Sequence, residues 1–465
     1  MDLDERTLQG AGAAAAATRL AEQDVIAVIL VWVDTSGIAR VKAVPLSRLE
    51  HAATWGIGVP PGLDAFLLDD SVVTGRYAGG PPVGDLRLHP DLDRLVPLAA
   101  LPGWALAPAD RYTQDGTVHP LDSRSLLRRE MTRLASQGWA ARAAFEMEWV
   151  VSDKGWDEFT PACNGPAYGM TRISELSDYL RDVLVALDGS GVPVEQIHPE
   201  YAPGQYELTV AAEDPLGAAD TAVLVRETIR AISLRHGLVA SFSPKAELTS
   251  LGNGGHVHLS LWRRGTDGAA STNAMAGGDG PSGMTQAGEA FAAGILRRLP
   301  ALLAIGAPSM ASYLRLVPSG RAGAYACWGP ENREAALRFI TGAHGERHRA
   351  ANLEVKCFDP SANPYLALAA LLAAGRAGLD ARETLPAPVT TDPAALPTRE
   401  RETAGITPLP TTLSESVAAF EADPVLRQAL GDAVIDTVSV VRRGEIALLD
   451  DATPEQITAT TRWRH

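Results

Sequence analysis

The nonapeptide AAFEMEWVV, Ala143–Val151, decides how the rest of the chain is read. Two glutamates stand two residues apart among apolar neighbours. Strand side chains alternate between faces, so Glu146 and Glu148 share one face and Phe145, Met147 and Trp149 the other. Three further segments repeat the arrangement. In HPEYAPGQYELTV (His198–Val210), Glu200 and Glu207 flank a turn at Ala202–Gly204. In GHVHLSL (Gly255–Leu261), His256 and His258 face away from Val257 and Leu259. In NLEVKCF (Asn352–Phe358), Glu354 and Lys356 oppose Leu353 and Val355. Each segment predicts a strand with one apolar side and one ligand-bearing side.

A single such pair describes the solvent-facing edge of an amphipathic strand equally well. Four together point elsewhere, because an exposed face would usually carry Lys, Thr and Ser too. Five carboxylates and an imidazole on convergent strands repel one another unless cations are bound. Hard oxygen donors with one imidazole suit Mg²⁺ or Mn²⁺ rather than zinc. A two-metal site of this kind neutralises phosphate charge and orients an in-line phosphoryl transfer. SYLRLVP (Ser312–Pro318) and WGPENREAALR (Trp328–Arg338) place Arg315, Arg333 and Arg338 shortly before the Glu354 strand. Taken singly, each arginine reads as a surface ion pair. Beside a carboxylate–metal site they read as clamps for phosphate and carboxylate groups. Metals and arginines together predict ATP plus an acid as reactants.

Around this centre the chain falls into two parts. Residues 24–46 predict two strands about a turn at Asp34–Gly37. A loop-rich stretch punctuated by Gly58–Gly62 and Gly79–Gly84 follows, then short strands over 93–97 and 104–108. These compose a compact N-terminal α+β domain of residues 1–108. From Ser123 the apolar positions 126, 127, 131 and 134 predict a helix that stops at Gly138. Helices predicted over 172–188, 215–236, 284–305 and 361–379 alternate with short strands. Residues 380–412, rich in Pro and Thr, read as a surface excursion before a helical tail from Ser414. The acidic, Ala-rich N-terminus reads as a helical packing arm, not a secretory signal.

Composition narrows the function. The 465 residues carry 41 basic and 56 acidic side chains, a net charge of −15, with 46% hydrophobic and 21% charged residues. That balance fits a soluble chain with a large core and excludes a disordered one. It argues against nucleic acid as a partner, since phosphate-backbone binding needs clustered Lys and Arg. Cys163, Cys327 and Cys357 form no CxxC pair, so a cytoplasmic location is expected. The longest apolar runs, Val25–Val33 and Leu366–Gly375, fall far short of the ~20 residues that span a bilayer, so no membrane partner is expected.

The segments FEMEW, HPEYAPGQYE, GNGGHVHLS, RLVP, NREAALR and EVKCFDPSANPYLALAALLAAG, in this order, resemble the glutamine synthetase superfamily. The resemblance covers essentially the whole chain. It implies an α+β fold with a small β-grasp-like N-terminal domain and a large catalytic domain over 109–465, a curved antiparallel sheet flanked by helices. It implies one metal held by Glu148, Glu200 and Glu207, and a second by Glu146, His256 and Glu354. Glutamate would meet Asn253, Gly254 and Arg315, with Lys356 where many members have arginine. ATP would meet Glu195, His258, Ser260, Arg338 and Asn352, and Arg333 would stabilise the transferring phosphoryl group. The family further implies a dodecamer of two hexameric rings, with Asp34 from a neighbouring N-terminal domain completing each site. The implied reaction, part of nitrogen metabolism, has two steps. ATP phosphorylates the γ-carboxylate of glutamate, then an amine displaces the phosphate.

The departures are as informative. Glutamine synthetases carry a flap glutamate just after the RLVPG run that helps take the proton from ammonium. Here Arg321 stands there, and no acid occurs between Arg315 and Glu331. Like charges ~4 Å apart cost about 4 kcal/mol at an effective dielectric of ~20, which is wrong for ammonium. The usual Asn-Gly-Ser-Gly-Met-His segment is shortened to Asn253-Gly254-Gly255-His256, and no tyrosine follows Tyr365 to serve as an adenylylation site. These features resemble the glutamate–amine ligase (γ-glutamylamine synthetase) branch, which joins glutamate to polyamines, ethanolamine, isopropylamine or anilines. An inward Arg321 would disfavour a dicationic polyamine and prefer a neutral, aromatic or carboxylate-bearing amine; an outward one would be a surface residue on a mobile flap. Tyr168, Trp328 and Trp55 are the aromatic residues available to line the amine pocket, or else to pack. The expected activity is an ATP-dependent γ-glutamyl–amine ligase. The alternatives are a true glutamine synthetase using ammonia and a non-catalytic regulatory relative.

Overall fold

Two sheets organise the chain in the computed structural model, which describes residues 3–79, 83–153, 156, 158–265 and 270–465. Residues 80–82 of the Gly79–Gly84 stretch lie outside the described set. The first sheet has six strands. Its hairpin is the predicted one, Ala27–Val33 antiparallel to Ala39–Pro45, with Ala27–Val33 also lying parallel to Trp104–Tyr112. Gly37 turns this hairpin at φ +78°, and a Cβ there would meet the carbonyl of Ser361, so the turn abuts the second half of the chain. The strand expected over 93–97 is mostly a 3-10 turn, Leu92–Arg94, because the Asp91 carboxylate accepts from the Asp93 N–H. Only Val96–Pro97 pairs. The helix Leu3–Ala21 packs back on this sheet, burying Ala13, Ala16 and Leu20 with Val28, Leu30 and Trp32.

The second sheet has ten strands, and the four ligand-bearing segments lie within or at the ends of its strands. Its spatial order is Thr407–Pro408, Tyr325–Pro330, Ala335–Ile340, Asn352–Val355, Gly255–Arg263, Trp139–Ser152, Gln205–Val210 and Val194–Pro199. All pairings in it are antiparallel except Tyr325–Pro330 with Ala335–Ile340. Its apolar face, with Phe145, Met147, Trp149, Val257, Leu259, Leu353 and Val355, is buried in one core with helices Pro215–Arg235, Gln286–Gly306 and Pro364–Ala381. The last two helices approach closely because Gly294 and Gly378 face each other without side chains. Each of the three is N-capped by the side chain just before it, Asp214, Thr285 and Asn363.

Two expectations need correction. The 172–188 helix is two, Met170–Glu175 and Ser177–Gly189, interrupted at Leu176 (φ −118°, ψ 28°). The 380–412 stretch is more than a surface excursion. Val389 and Ile406 are buried with Ala324, Tyr325 and Cys327, and Thr407–Pro408 extends the sheet. All three cysteines are buried free thiols. Among the described residues, no helix is long and apolar enough to cross a membrane.

Arg124 joins the two halves. Its side chain is 3% exposed and pairs with Asp91 (2.7 Å), Asp110 (3.0 Å) and Asp220 (2.8 Å), while the Tyr365 hydroxyl donates to Asp220. Removing one member of a buried charge network strands the others, at a cost of about 3–5 kcal/mol. Arg124→Ala is therefore expected to lower stability by that amount in denaturant unfolding, and a loss under ~1 kcal/mol would show the network dispensable.

Candidate active site

Strand register builds the site. His256 lies directly opposite Glu146, Glu207 opposite Glu148, and Glu354 opposite His258. Residues opposite each other on one face have Cβ atoms about 4.5–5.5 Å apart, so antiparallel pairing alone brings these groups together. His256 Nδ1 is 2.6 Å from Glu146 Oε1, and His258 Nε2 is 3.3 Å from Glu146 Oε2. Glu354 is gripped by Lys356 Nζ at 2.8 Å and Arg338 Nη1 at 2.9 Å.

Three groups converge closely enough to hold a metal ion: Glu146 with Glu148 and His256, Glu146 with His258 and Glu354, and His198 with Glu200 and Glu207. All six residues expected as ligands fall within these groups, and His256 also lies 3.4 Å from Glu354. His198 was missed, although it stands two residues before Glu200 at the same alternating spacing; its Nε2 is 3.0 Å from Glu207. The donor set, carboxylates with imidazoles, fits a hard divalent cation. The electrostatics agree. Burial pushes Glu148 and Glu207 up to about 7, since two more carboxylates are costly to charge here without a cation. Burial also opposes ionisation of Glu146, but the imidazoles of His256 and His258 outweigh it and hold it well below the usual range.

A cavity opens on this face. Glu146, Glu148, Glu200 and Glu207 lie on one side; Lys245, Arg315, Arg321, Arg333 and Lys356 supply the opposite charge. Arg315 is buried, and its guanidinium donates to the carbonyls of Lys356 and Phe358 at 3.1 and 3.2 Å, 3.2 Å from His256 Nε2. Gly254 presents its N–H to Glu148 at 2.9 Å. The Asn253 side chain turns the other way, donating to the carbonyls of Ser241 and Ser243 and accepting from Gln205. It anchors the shortened loop. Gln205 was also missed: its Nε2 donates to Glu148, Asn253 and the Gly252 carbonyl, and its spacing two before Glu207 was the available signal. Lys245, on a loop, offered no such signal.

The expected nucleotide residues run outward from the carboxylates. His258, Ser260 and Trp262 share one face of Gly255–Arg263, and His258 Nδ1 is 3.0 Å from Asn352 Oδ1. The Ser260 hydroxyl accepts from Trp262 Nε1, and the Arg142 guanidinium, directly opposite Ser260, lies 4.4 Å from the Trp262 ring centre. Trp262 and Arg142 also wall a broad groove with Trp139, Asn273, His348 and Arg349. Glu195 is exposed on the edge strand beyond the cluster.

Other expected residues do not converge here. Asp34 is fully buried in the hairpin turn, its carboxylate accepting from Ile38 N–H (2.9 Å) and Arg40 Nε (2.7 Å), so neither oxygen is presented to a neighbouring subunit. Of the three aromatic residues, Tyr168 alone lines the cavity, its hydroxyl donating to Glu200 at 2.8 Å. Trp328 is core, with Nε1 on the Pro386 carbonyl. Trp55 sits on the first domain's surface beneath Arg6. Arg321 is exposed and also lines the cavity.

Residues 120–460 match the family model of the glutamine synthetase catalytic domain. The chain is 53% identical over 456 residues to the gamma-glutamylpolyamine synthetase GlnA3 of Streptomyces coelicolor, covering 97% of this chain and 96% of that one. It is 35% identical over 362 residues to the glutamine synthetase of Thermotoga maritima, 76% and 79% of the two chains. Among solved structures, a novel glutamine synthase homologue superposes with TM-score 0.81 at 33% identity, covering 93% and 97% of the chains. A GmaS–ADP complex does so with TM-score 0.81 at 26% identity, covering 94% and 96%.

Proposed function

This chain belongs to the glutamine synthetase family, and from that membership we infer that it is an ATP-dependent ligase joining the γ-carboxylate of glutamate to an organic amine. The observation that carries the choice of an organic amine over ammonia is Arg321, a cation at the cavity wall on a flap without an acid. Similarity to a relative named for polyamines supports a polyamine as the amine. An inward Arg321 still disfavours a dication held beside it, so only an uncharged nitrogen of such an amine can sit there. A nearby guanidinium destabilises the ammonium form and so lowers the pKa of the attacking nitrogen. That nitrogen must be neutral to attack, while the other ammonium groups of a long amine can lie toward the mouth.

Family enzymes depend on ATP and divalent metal, and we propose two Mg²⁺ or Mn²⁺ ions here. Glu148, Glu200 and Glu207 with His198 would hold one; Glu146, His256 and Glu354 would hold the other. Bound there, such ions neutralise the phosphates and the developing charge. The chain's own residues do the rest. Arg315 and Lys356 orient glutamate, and Gly254 with Gln205 fixes Glu148. Ser260, His258, Arg338 and Asn352 orient the nucleotide, with Glu195 at its outer edge, and Arg333 meets the moving phosphoryl group. Domain division at 108/109, a cytoplasmic setting and a dodecamer of two hexameric rings, supported by the family resemblance, complete the proposal.

A phosphate-release screen over ammonia, ethanolamine, diamines, polyamines, anilines and amino acids tests it. A polyamine should exceed ammonia by at least about tenfold in kcat/KM, a difference of about 1.4 kcal/mol in the transition state. Ammonia as the best substrate would instead identify an ordinary glutamine synthetase. If none of the amines supports phosphate release and methionine sulfoximine is not phosphorylated, the chain is a binding protein.

A further inference from the structure

The flap Val317–Gly323 contains no carboxylate, yet two carboxylates from elsewhere hold it. The main-chain N–H of Arg321 donates to Glu334, 3.1 and 3.2 Å from its two oxygens. The Ser319 hydroxyl donates to Asp392 at 2.8 Å. Both held residues have left-handed backbone, φ +57° at Ser319 and +56° at Arg321. Residues other than glycine keep that conformation only where their surroundings over-determine it.

The holders are themselves fixed. Glu334 sits in the turn between Tyr325–Pro330 and Ala335–Ile340, and its N–H donates to Asn332 Oδ1. Asn332 Nδ2 in turn donates to the carbonyls of Val389 and Thr391, next to Asp392. Asp392 caps the turn Pro393–Ala395 by accepting from the Ala394 N–H at 2.8 Å. The flap, the 331–334 turn and the Val389–Asp392 segment are thus one hydrogen-bonded unit. Its inward side, Val317, Gly320 and Arg321, lines the cavity together with Tyr168.

We propose that Glu334 and Asp392 are a two-point latch that fixes the flap over the cavity, and that Glu334 is a positioning residue for amine capture. It acts through the main-chain N–H of Arg321, holding the flap against the incoming amine whatever side chain stands at position 321. The inference rests on the ligase reading above. It assigns a role to the 380–412 stretch, whose Asp392 holds the flap.

The test is steady-state phosphate release with the preferred amine of the screen, using Glu334→Ala, Glu334→Gln, Arg321→Gly and the Glu334→Ala/Arg321→Gly double variant. Glu334→Ala should raise KM for the amine at least tenfold, with KM for ATP and glutamate within twofold. Glu334→Gln retains one acceptor oxygen and should cost no more than threefold. Arg321→Gly keeps the N–H and suits the left-handed backbone, so the tenfold effect of Glu334→Ala should persist in that background. Hydrogen exchange should show the Arg321 amide losing protection in Glu334→Ala. An unchanged amine KM, a parallel rise in all three KM values, or an effect that vanishes in Arg321→Gly overturns the latch. Wild-type protein in which none of the amines supports phosphate release overturns the ligase reading itself, and amine capture by the latch with it.

Discussion

Replacing Glu146 with alanine is expected to lower glutamate-dependent phosphate release by about 10³-fold or more, equivalent to about 4 kcal/mol of transition-state stabilisation. Glu146 belongs to two of the three groups able to hold a metal, and it is the acceptor shared by His256 and His258. Its removal takes a charge from both proposed ion positions and frees both imidazoles to turn. Glu146→Gln keeps the shape without the charge and should recover less than tenfold. The metal-free fold should weaken too. Glu146 repels Glu148 and Glu207, but its own carboxylate is held ionised by His256 and His258, so its loss should lower the temperature of thermal unfolding without metal. Turnover lost in a Glu146→Gln protein that still folds and unfolds cooperatively separates a metal-holding role from a structural one. Retention of more than a tenth of wild-type turnover would remove Glu146 from the metal-holding set.

What the sequence could disclose was what alternation controls. A period of two fixes which side of its own strand a residue occupies, so Glu146 with Glu148 and His256 with His258 were legible as ligand pairs. Period alone does not fix register. That Glu146 faces His256, and Glu354 faces His258, depends on how the strands slide past one another, so which candidate ligands stand opposite one another could not be read. His198 and Gln205 carry the same spacing signal, each two residues before a glutamate, Glu200 and Glu207. The aromatic residues show the opposite limit. Tyr168, Trp55 and Trp328 carry no period, and only packing places one at the cavity, one on the surface and one in the core. Asp34 belongs with them, since a turn sequence says nothing of what will close over it. The bond from Arg321 to Glu334 joins a main-chain donor to a distant side chain, which no residue pattern encodes.

Arg333→Ala is expected to reduce turnover by about 10³–10⁵-fold, the range for an arginine that meets a transferring phosphoryl group. The neighbouring arginines are already committed, Arg338 to Glu354 and Glu331 and Arg315 to two carbonyls beside His256. Among the described residues Arg333 has no ion pair, is exposed, and lines the same cavity. A guanidinium without a fixed partner is free to follow charge as it develops, which favours the transition state over the ground state. KM for ATP should therefore change less than turnover. Arg333→Lys should recover at most about tenfold, because an ammonium cannot make the paired hydrogen bonds of a guanidinium. As a surface substitution, Arg333→Ala should leave stability within about 0.5 kcal/mol. Arg333 and Arg321 then divide the reaction. Phosphorylation of methionine sulfoximine by ATP needs the first step alone, so it should fail in Arg333→Ala and proceed in Arg321→Gly. Amine-dependent turnover should suffer in both. Normal trapping in Arg333→Ala would return the phosphoryl role to Arg338, whose guanidinium would first have to leave Glu354.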